Sequence, residues 1–169
     1  MPTSDEALLL DLLNTTPVID GSPRDDLADA GAGHAWLAAH GRPVGDDEWR
    51  ALVAARDTLQ KLVRGTGTAA TLAPFLDGVR TRATAGADGV DWVLDLPGGR
   101  SAAAQAVLAW DELRRSSPGR LRPCANTECH LFLVDHSRSN NARWCSMAIC
   151  GNRMKARRHY ERNRPAATN

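Results

Sequence analysis

Apolar residues recur at helical spacing through most of the first two thirds of the chain. Leu8 to Leu13 form a short apolar run behind Thr3 and Glu6, whose three-residue offset predicts a capping box opening a helix through Leu13. Pro17, Gly21 and Pro23 predict a loop over 14–26. Leu27, Trp36 and Leu37 among alanines predict a helix over 27–40, ended by Gly41 and Pro43. Trp49, Leu52, Val53, Leu59, Leu62 and Val63 mark the next, capped by Asp46 or Asp47 and stopped at Gly65. Leu72, Phe75, Leu76 and Val79 predict another before Gly86. The period then changes. Val90, Trp92, Leu94 and Leu96 alternate with other residues up to Pro97, the pattern of a strand, although no partner strand is evident. Ser101 then caps a helix to about Ser116 with Ala103, Val107, Trp110 and Leu113 inward, and Ser116 to Gly119 reads as a linker.

Beyond the linker the chemistry changes. All four cysteines, Cys124, Cys129, Cys145 and Cys150, fall here, as two pairs with four residues inside each and fifteen between them. Two short turns each delivering two thiolates suit one tetrahedral structural Zn2+, whereas two disulfides would need an oxidising compartment. His130 and His136 are the alternative ligands. A helix is expected from about Ile149 to Asn163, with Gly151 allowing close approach beside the second turn. Leu131, Phe132, Leu133, Trp144, Met147, Met154 and Tyr160 form a core too small to hold such a module without metal.

Charge divides the chain at the same place. Residues 120–169 carry ten Lys/Arg against three Asp/Glu, and residues 1–119 carry eleven against seventeen, so an overall +1 hides a basic half and an acidic half. A polyanion is the natural partner of the former. On a helix, Arg153, Arg157 and Arg164 share a face with Tyr160, expected to lean on the module, while Lys155, Arg158 and Arg162 point outward. Asn152, Arg138 and Arg143 add donors, giving Arg138, Arg143, Asn152, Arg153, Lys155, Arg157, Arg158 and Arg162 as the DNA-binding candidates. Arg153 has a second option, an ion pair with Asp135 that braces the metal turn.

The run from Arg143 to Lys155, with its Cys150-Gly151-Asn152-Arg153 tetrapeptide, resembles the CGNR-type zinc-finger family, as does Cys129 to Arg138. The segment Leu10-Asp11-Leu12-Leu13-Asn14-Thr15 is similar to the start of the ABATE domain usually placed before that finger, described as a stress-induced transcription regulator. The resemblance implies a bacterial DNA-binding regulator.

The expected fold is mostly α with a small β element: a helical domain over 1–118, serving as sensor or dimerisation unit, and a treble-clef-like four-cysteine finger over 119–169. Trp36, Trp49, Trp92 and Trp110 either pack the core or line a pocket for a small-molecule effector, and Asp11 and Asn14 are either pocket contacts or packing residues. The N-terminus is acidic where a signal peptide would be basic, and no apolar run of membrane-spanning length appears, so a cytoplasmic protein is expected. No phosphate loop, nucleophile elbow or His/carboxylate cluster suggests an enzyme. A zinc-dependent regulator on double-stranded DNA, with a homodimer to lengthen its site, is the main expectation. The alternative is a zinc-stabilised adaptor whose basic helix binds RNA or an acidic protein.

Overall fold

The computed structural model describes residues 4–162; Thr3 of the expected capping box, Asn163, Arg164 and Pro165 lie outside them. Among these residues about half are helical, and three small antiparallel strand pairs join them. Helix α1 spans Ser4–Leu13, α2 Ala30–Ala39, α3 Asp46–Val63 and α5 Ser101–Ser116; a 3-10 turn over Ala69–Leu72 runs into the one-turn α4, Ala73–Leu76. Helices α1, α3 and α5 pack together around Leu9, Leu12, Leu13, Leu52, Leu59, Ala106 and Val107, all essentially without solvent contact. Alanines along α5 let it lie close against its neighbours.

Several local expectations shift once tertiary partners are present. Residues 14–26 contain a minimal hairpin, β1 (Val18–Ile19) with β2 (Ser22–Pro23), around Asp20 and Gly21, both at positive φ. The fork of Arg56 closes this loop onto α3, donating to both carboxylate oxygens of Asp25 at 2.6 and 2.9 Å and to Thr15 Oγ1 at 3.2 Å. Helix α2 starts later than expected because Asp29 caps it, accepting from Ala32 N–H. Gly45, not Asp46 or Asp47, stands at the N-cap of α3. Ser101 is the first residue of α5 rather than its cap. The cap comes from α3: buried Glu48 accepts from Ser101 N–H and Oγ at 3.0 and 2.8 Å, and from Ala102 N–H at 3.1 Å. The helix expected through Val79 stops at Leu76, and the chain turns into β3.

Strand β3 (Arg80–Gly86) is the missing partner of β4 (Gly89–Asp95). The expected inward Trp92 is instead 71% exposed on this hairpin. Each remaining N-terminal tryptophan has its own neighbour. Trp36 stacks on His40, Trp49 donates to Leu27 O at 3.0 Å and lies over Gly33, where a Cβ would strike its ring, and Trp110 sits beside Arg114. Asp11 reaches His40 at 3.3 Å, tying α1 to α2.

After α5, strand β5 (Leu121–Pro123) pairs with β6 (Phe132–Val134), and the chain ends in α6, Asn152–Arg162. Phe132 leaves the expected core of the cysteine module and enters the helical one at 1% exposure. Asn14, at the end of α1, holds it there like a strand edge: Phe132 N–H donates to Asn14 Oδ1 at 2.7 Å and the Asn14 amide donates to Phe132 O at 3.3 Å. The Arg64 guanidinium covers the ring at 4.5 Å and donates to His130 O at 3.0 Å. His136 meets Glu6 of α1 at 2.8 Å.

Phe132→Ala should therefore lower the stability of the helical body by ~3–5 kcal/mol, the cost of emptying an aromatic site. Helical-signal urea melts of zinc-loaded wild type and variant measure it. A change confined to the cysteine module would contradict the shared core.

Candidate metal centre and basic helix

The two cysteine pairs have the same spacing but are built differently. Cys124 and Cys129 sit in the turn between β5 and β6, so the hairpin flanks the first knuckle on both sides. Cys124 N–H donates to Leu131 O at 2.8 Å and Cys129 N–H to Asn126 O at 2.9 Å. Cys145 lies just before, and Cys150 within, a wide turn over Met147–Gly151, closed by Gly151 N–H to Ser146 O at 3.0 Å. The extended Ser146 and the i→i+5 closure after it bring the chain from Cys145 back to Cys150 within five residues. Gly151 makes a close approach, though to neighbouring side chains and not to a ligand. A Cβ there would meet the Met147 thioether at 2.7 Å and Trp144 at 3.3 Å, not a ligand sulfur.

All four Sγ atoms lie within 4.8 Å of one another, with Cys129 and Cys150 each 3.7 Å from Cys145. Thiolates ~2.3 Å from a tetrahedral zinc stand ~3.8 Å apart, whereas a disulfide closes to ~2.05 Å. The cluster is that of one structural Zn2+, and among the described residues it contains no histidine. Bound there, the ion ties the hairpin turn to the start of α6. The first knuckle also meets the second directly, through Ala125 N–H to Arg143 O at 2.8 Å and Cys145 N–H to Cys124 Sγ at 3.5 Å.

Burial pushes the Cys129 thiol up to about 11 against hydrogen bonds from Leu131 and Cys145, and pushes the Cys145 thiol higher still, with the other three cysteines adding to the effect there. Burial also acts against the Cys150 thiolate, but hydrogen bonds from Asn126 and the other thiols outweigh it and bring that group below its ordinary value. Asn126 was not singled out from sequence. It is 1% exposed, its amide donates to Cys150 Sγ at 3.6 Å, and its Oδ1 accepts from Glu128 N–H at 3.2 Å. An asparagine two residues after a ligand cysteine, in a turn, was the available signal.

Asp135 braces the hairpin, though not through Arg153. Its carboxylate accepts from Ser137 N–H at 2.8 Å, Ala142 N–H at 2.7 Å and Arg122 Nη2 at 3.0 Å. Hydrogen bonding from Ser137, then from Ala142, and the Arg122 charge hold it at about 2. Arg122 also grips Asn140, and Arg120 donates to Asp135 O and Ser137 O at 2.6 and 2.8 Å. The 138–143 loop is thereby fixed, leaving Arg138 and Arg143 exposed, the latter 5.5 Å above Trp144.

Helix α6 packs on the metal-bearing turn, and only Met154 along it is half-buried. Arg157 faces the first knuckle, pairing with Glu128 at 3.2 Å and with Glu161 at 3.5 Å. Tyr160 does not lean on the module; it is 80% exposed. Arg153, Lys155, Arg158 and Arg162 are exposed without an acidic partner among the described residues, while the Asn152 amide returns to Ala148 O at 3.3 Å. Of the eight candidates the structure thus gathers four free cations on one exposed helix, sets Arg138 and Arg143 on the adjoining loop, and gives Arg157 and Asn152 internal partners.

Zinc uptake should release the protons that Cys129 and Cys145 hold at neutral pH, so the zinc dissociation constant should fall roughly tenfold or more for each pH unit gained between about pH 6 and 8. Chelator competition across that range reads it, and a flat profile would contradict it. Asn126→Ala should weaken zinc retention by ~10–100-fold in the same assay while leaving all four ligands in place.

No curated protein matches the chain. No helix among the described residues is long and apolar enough to cross a membrane. Across the hairpin, the four thiolates and α6, residues 120–163 match the family model of the CGNR zinc finger.

Proposed function

We propose that this protein is a zinc-dependent, DNA-binding transcriptional regulator of the bacterial cytoplasm, in which the finger aims α6 at duplex DNA. The helical body, with its similarity to the ABATE start, is its regulatory or dimerisation part, and the knuckle–loop–helix order of the finger is treble-clef-like. One observation carries the reading. Arg153, Lys155, Arg158 and Arg162 project from an exposed helix that packs on the metal-bearing turn. Arginine forks suit phosphates and guanine edges, and a helix held at one end can enter a major groove. Arg138 and Arg143, on a loop fixed by Asp135, lie in the same module and suit flanking phosphates. Four thiolates leave zinc no position for a reacting water, which supports a structural and non-catalytic role.

The zinc-loaded protein should prefer duplex from its own promoter over random duplex by more than ~10^3-fold at physiological salt. Arg158→Ala with Arg162→Ala should abolish that preference and flatten the salt dependence by ~2 in log–log slope. Fluorescence anisotropy at two salt concentrations checks both. Equal, steeply salt-dependent binding to the two duplexes would instead favour the adaptor reading.

A further inference from the structure

The β3–β4 hairpin is amphipathic, and its apolar side is bare. Cross-strand partners share a face, so the register sets Thr81 with Leu94, Ala83 with Trp92 and Ala85 with Val90 on one side. Arg80 with Asp95, Arg82 with Val93 and Thr84 with Asp91 occupy the other. That second face is satisfied internally: Arg82 meets Asp95 at 3.1 Å, and the Thr84 hydroxyl donates to Asp91 O at 3.3 Å. The first face has nothing comparable. All six of its residues are exposed, including Trp92, Val90 at 62% and Leu94 at 46%. A two-stranded ribbon is marginal in water, and an apolar side of this kind is normally packed on something.

We propose that this face is a homodimer interface, occupied by the same face of a second copy. Its side-chain sizes are self-complementary. β3 contributes the small residues Thr81, Ala83 and Ala85, and β4 the large ones Val90, Trp92 and Leu94. A two-fold axis running along the hairpin, midway between two such faces, lays each β4 over the other copy's β3. Trp92 of one copy then falls over Ala83 of the other, Leu94 over Thr81 and Val90 over Ala85, each contact occurring twice. No formal charge lies on the face, so two copies meet without desolvating like charges.

Its area is that of a weak dimer. The exposed side chains offer roughly 400–500 Å² per copy, given 150–250 Å² for an aromatic residue, so a pair buries about 1,000 Å², near the lower limit for a specific interface. Beyond Leu94 lies a cleft of about 530 Å³ along α5, where Leu108, Ala109 and Leu113 add apolar surface but Asp5, Glu6, Asp111, Glu112 and Arg115 also line the walls, so the uncharged strip ends there. The association needs no nucleic acid, so it stands or falls apart from the DNA-binding reading.

Sedimentation velocity of the zinc-loaded full chain over about 1–200 μM, a range that brackets a micromolar dissociation constant, tests it. The mass should rise with concentration towards twice 18.2 kDa. Ala83→Asp and Trp92→Lys should each hold the chain monomeric with unchanged circular dichroism, whereas Arg82→Ala, on the other face, should not. Mixing the two monomeric variants should restore dimer, because one side of the axis then pairs the introduced ammonium with the introduced carboxylate and the other keeps the native contact. A wild-type chain monomeric throughout, or a dimer indifferent to both substitutions, would overturn the interface. Loss in both variants without rescue on mixing would overturn the β4-over-β3 packing.

Discussion

Closure of four thiolates around one ion is the constraint on which the C-terminal third depends. Residues 120–151 form only a three-residue strand pair, one wide turn and a loop, and much of their apolar surface stays accessible: Met147 and Ile149 are more than half exposed. Burial of that order cannot offset the conformational entropy of ordering some thirty residues at ~1–2 kcal/mol each. A metal–thiolate centre contributing ~10 kcal/mol or more can. The Asn126 amide and the backbone N–H groups of the knuckles direct partial positive charge at the sulfurs, which favours the thiolate form that the ion needs.

What the metal orders is shared with the rest of the molecule. β6 carries Phe132, whose ring completes the core of α1, α3 and α5, and Asn14 supplies the hydrogen bonds that its backbone would otherwise lose on burial. Arg64, His136 and Glu6 add contacts at the edges of the same seam. The finger is thus docked by its hairpin, while its helix projects away. That division leaves α6 accessible, and its orientation is set by the metal-bearing turn rather than by a large interface. The β3–β4 hairpin likewise leaves the apolar residues Val90, Trp92 and Leu94 exposed.

Much of this was legible in the order of residues. The four cysteines announced their metal because spacing along a chain is a local property, and the spacing of two knuckles survives any packing around them. Helices α1, α3 and α5 were visible in their periodicity, and the residues expected to be basic and exposed on α6 are so. Local reading had less purchase on the β elements. β3 presents only alanine and threonine on its apolar face, too weak an alternation to be recognised without β4 beside it, and the Asp20-Gly21 turn signal was overshadowed by two nearby prolines.

The sequence by itself therefore determined the periodic helices, the zinc site, the position of the basic helix and the break in charge near residue 119, all of which follow from residues close together in the chain. Only the tertiary structure decided which buried polar group completes which distant backbone. Glu48 caps a helix that begins 53 residues later, Asn14 holds a strand 118 residues away, and Asp135 pairs with Arg122 instead of Arg153. Each of these is a choice among several chemically equivalent partners. Chemistry alone leaves such a choice open; it is settled when packing excludes water from one place and a buried donor or acceptor there must be satisfied.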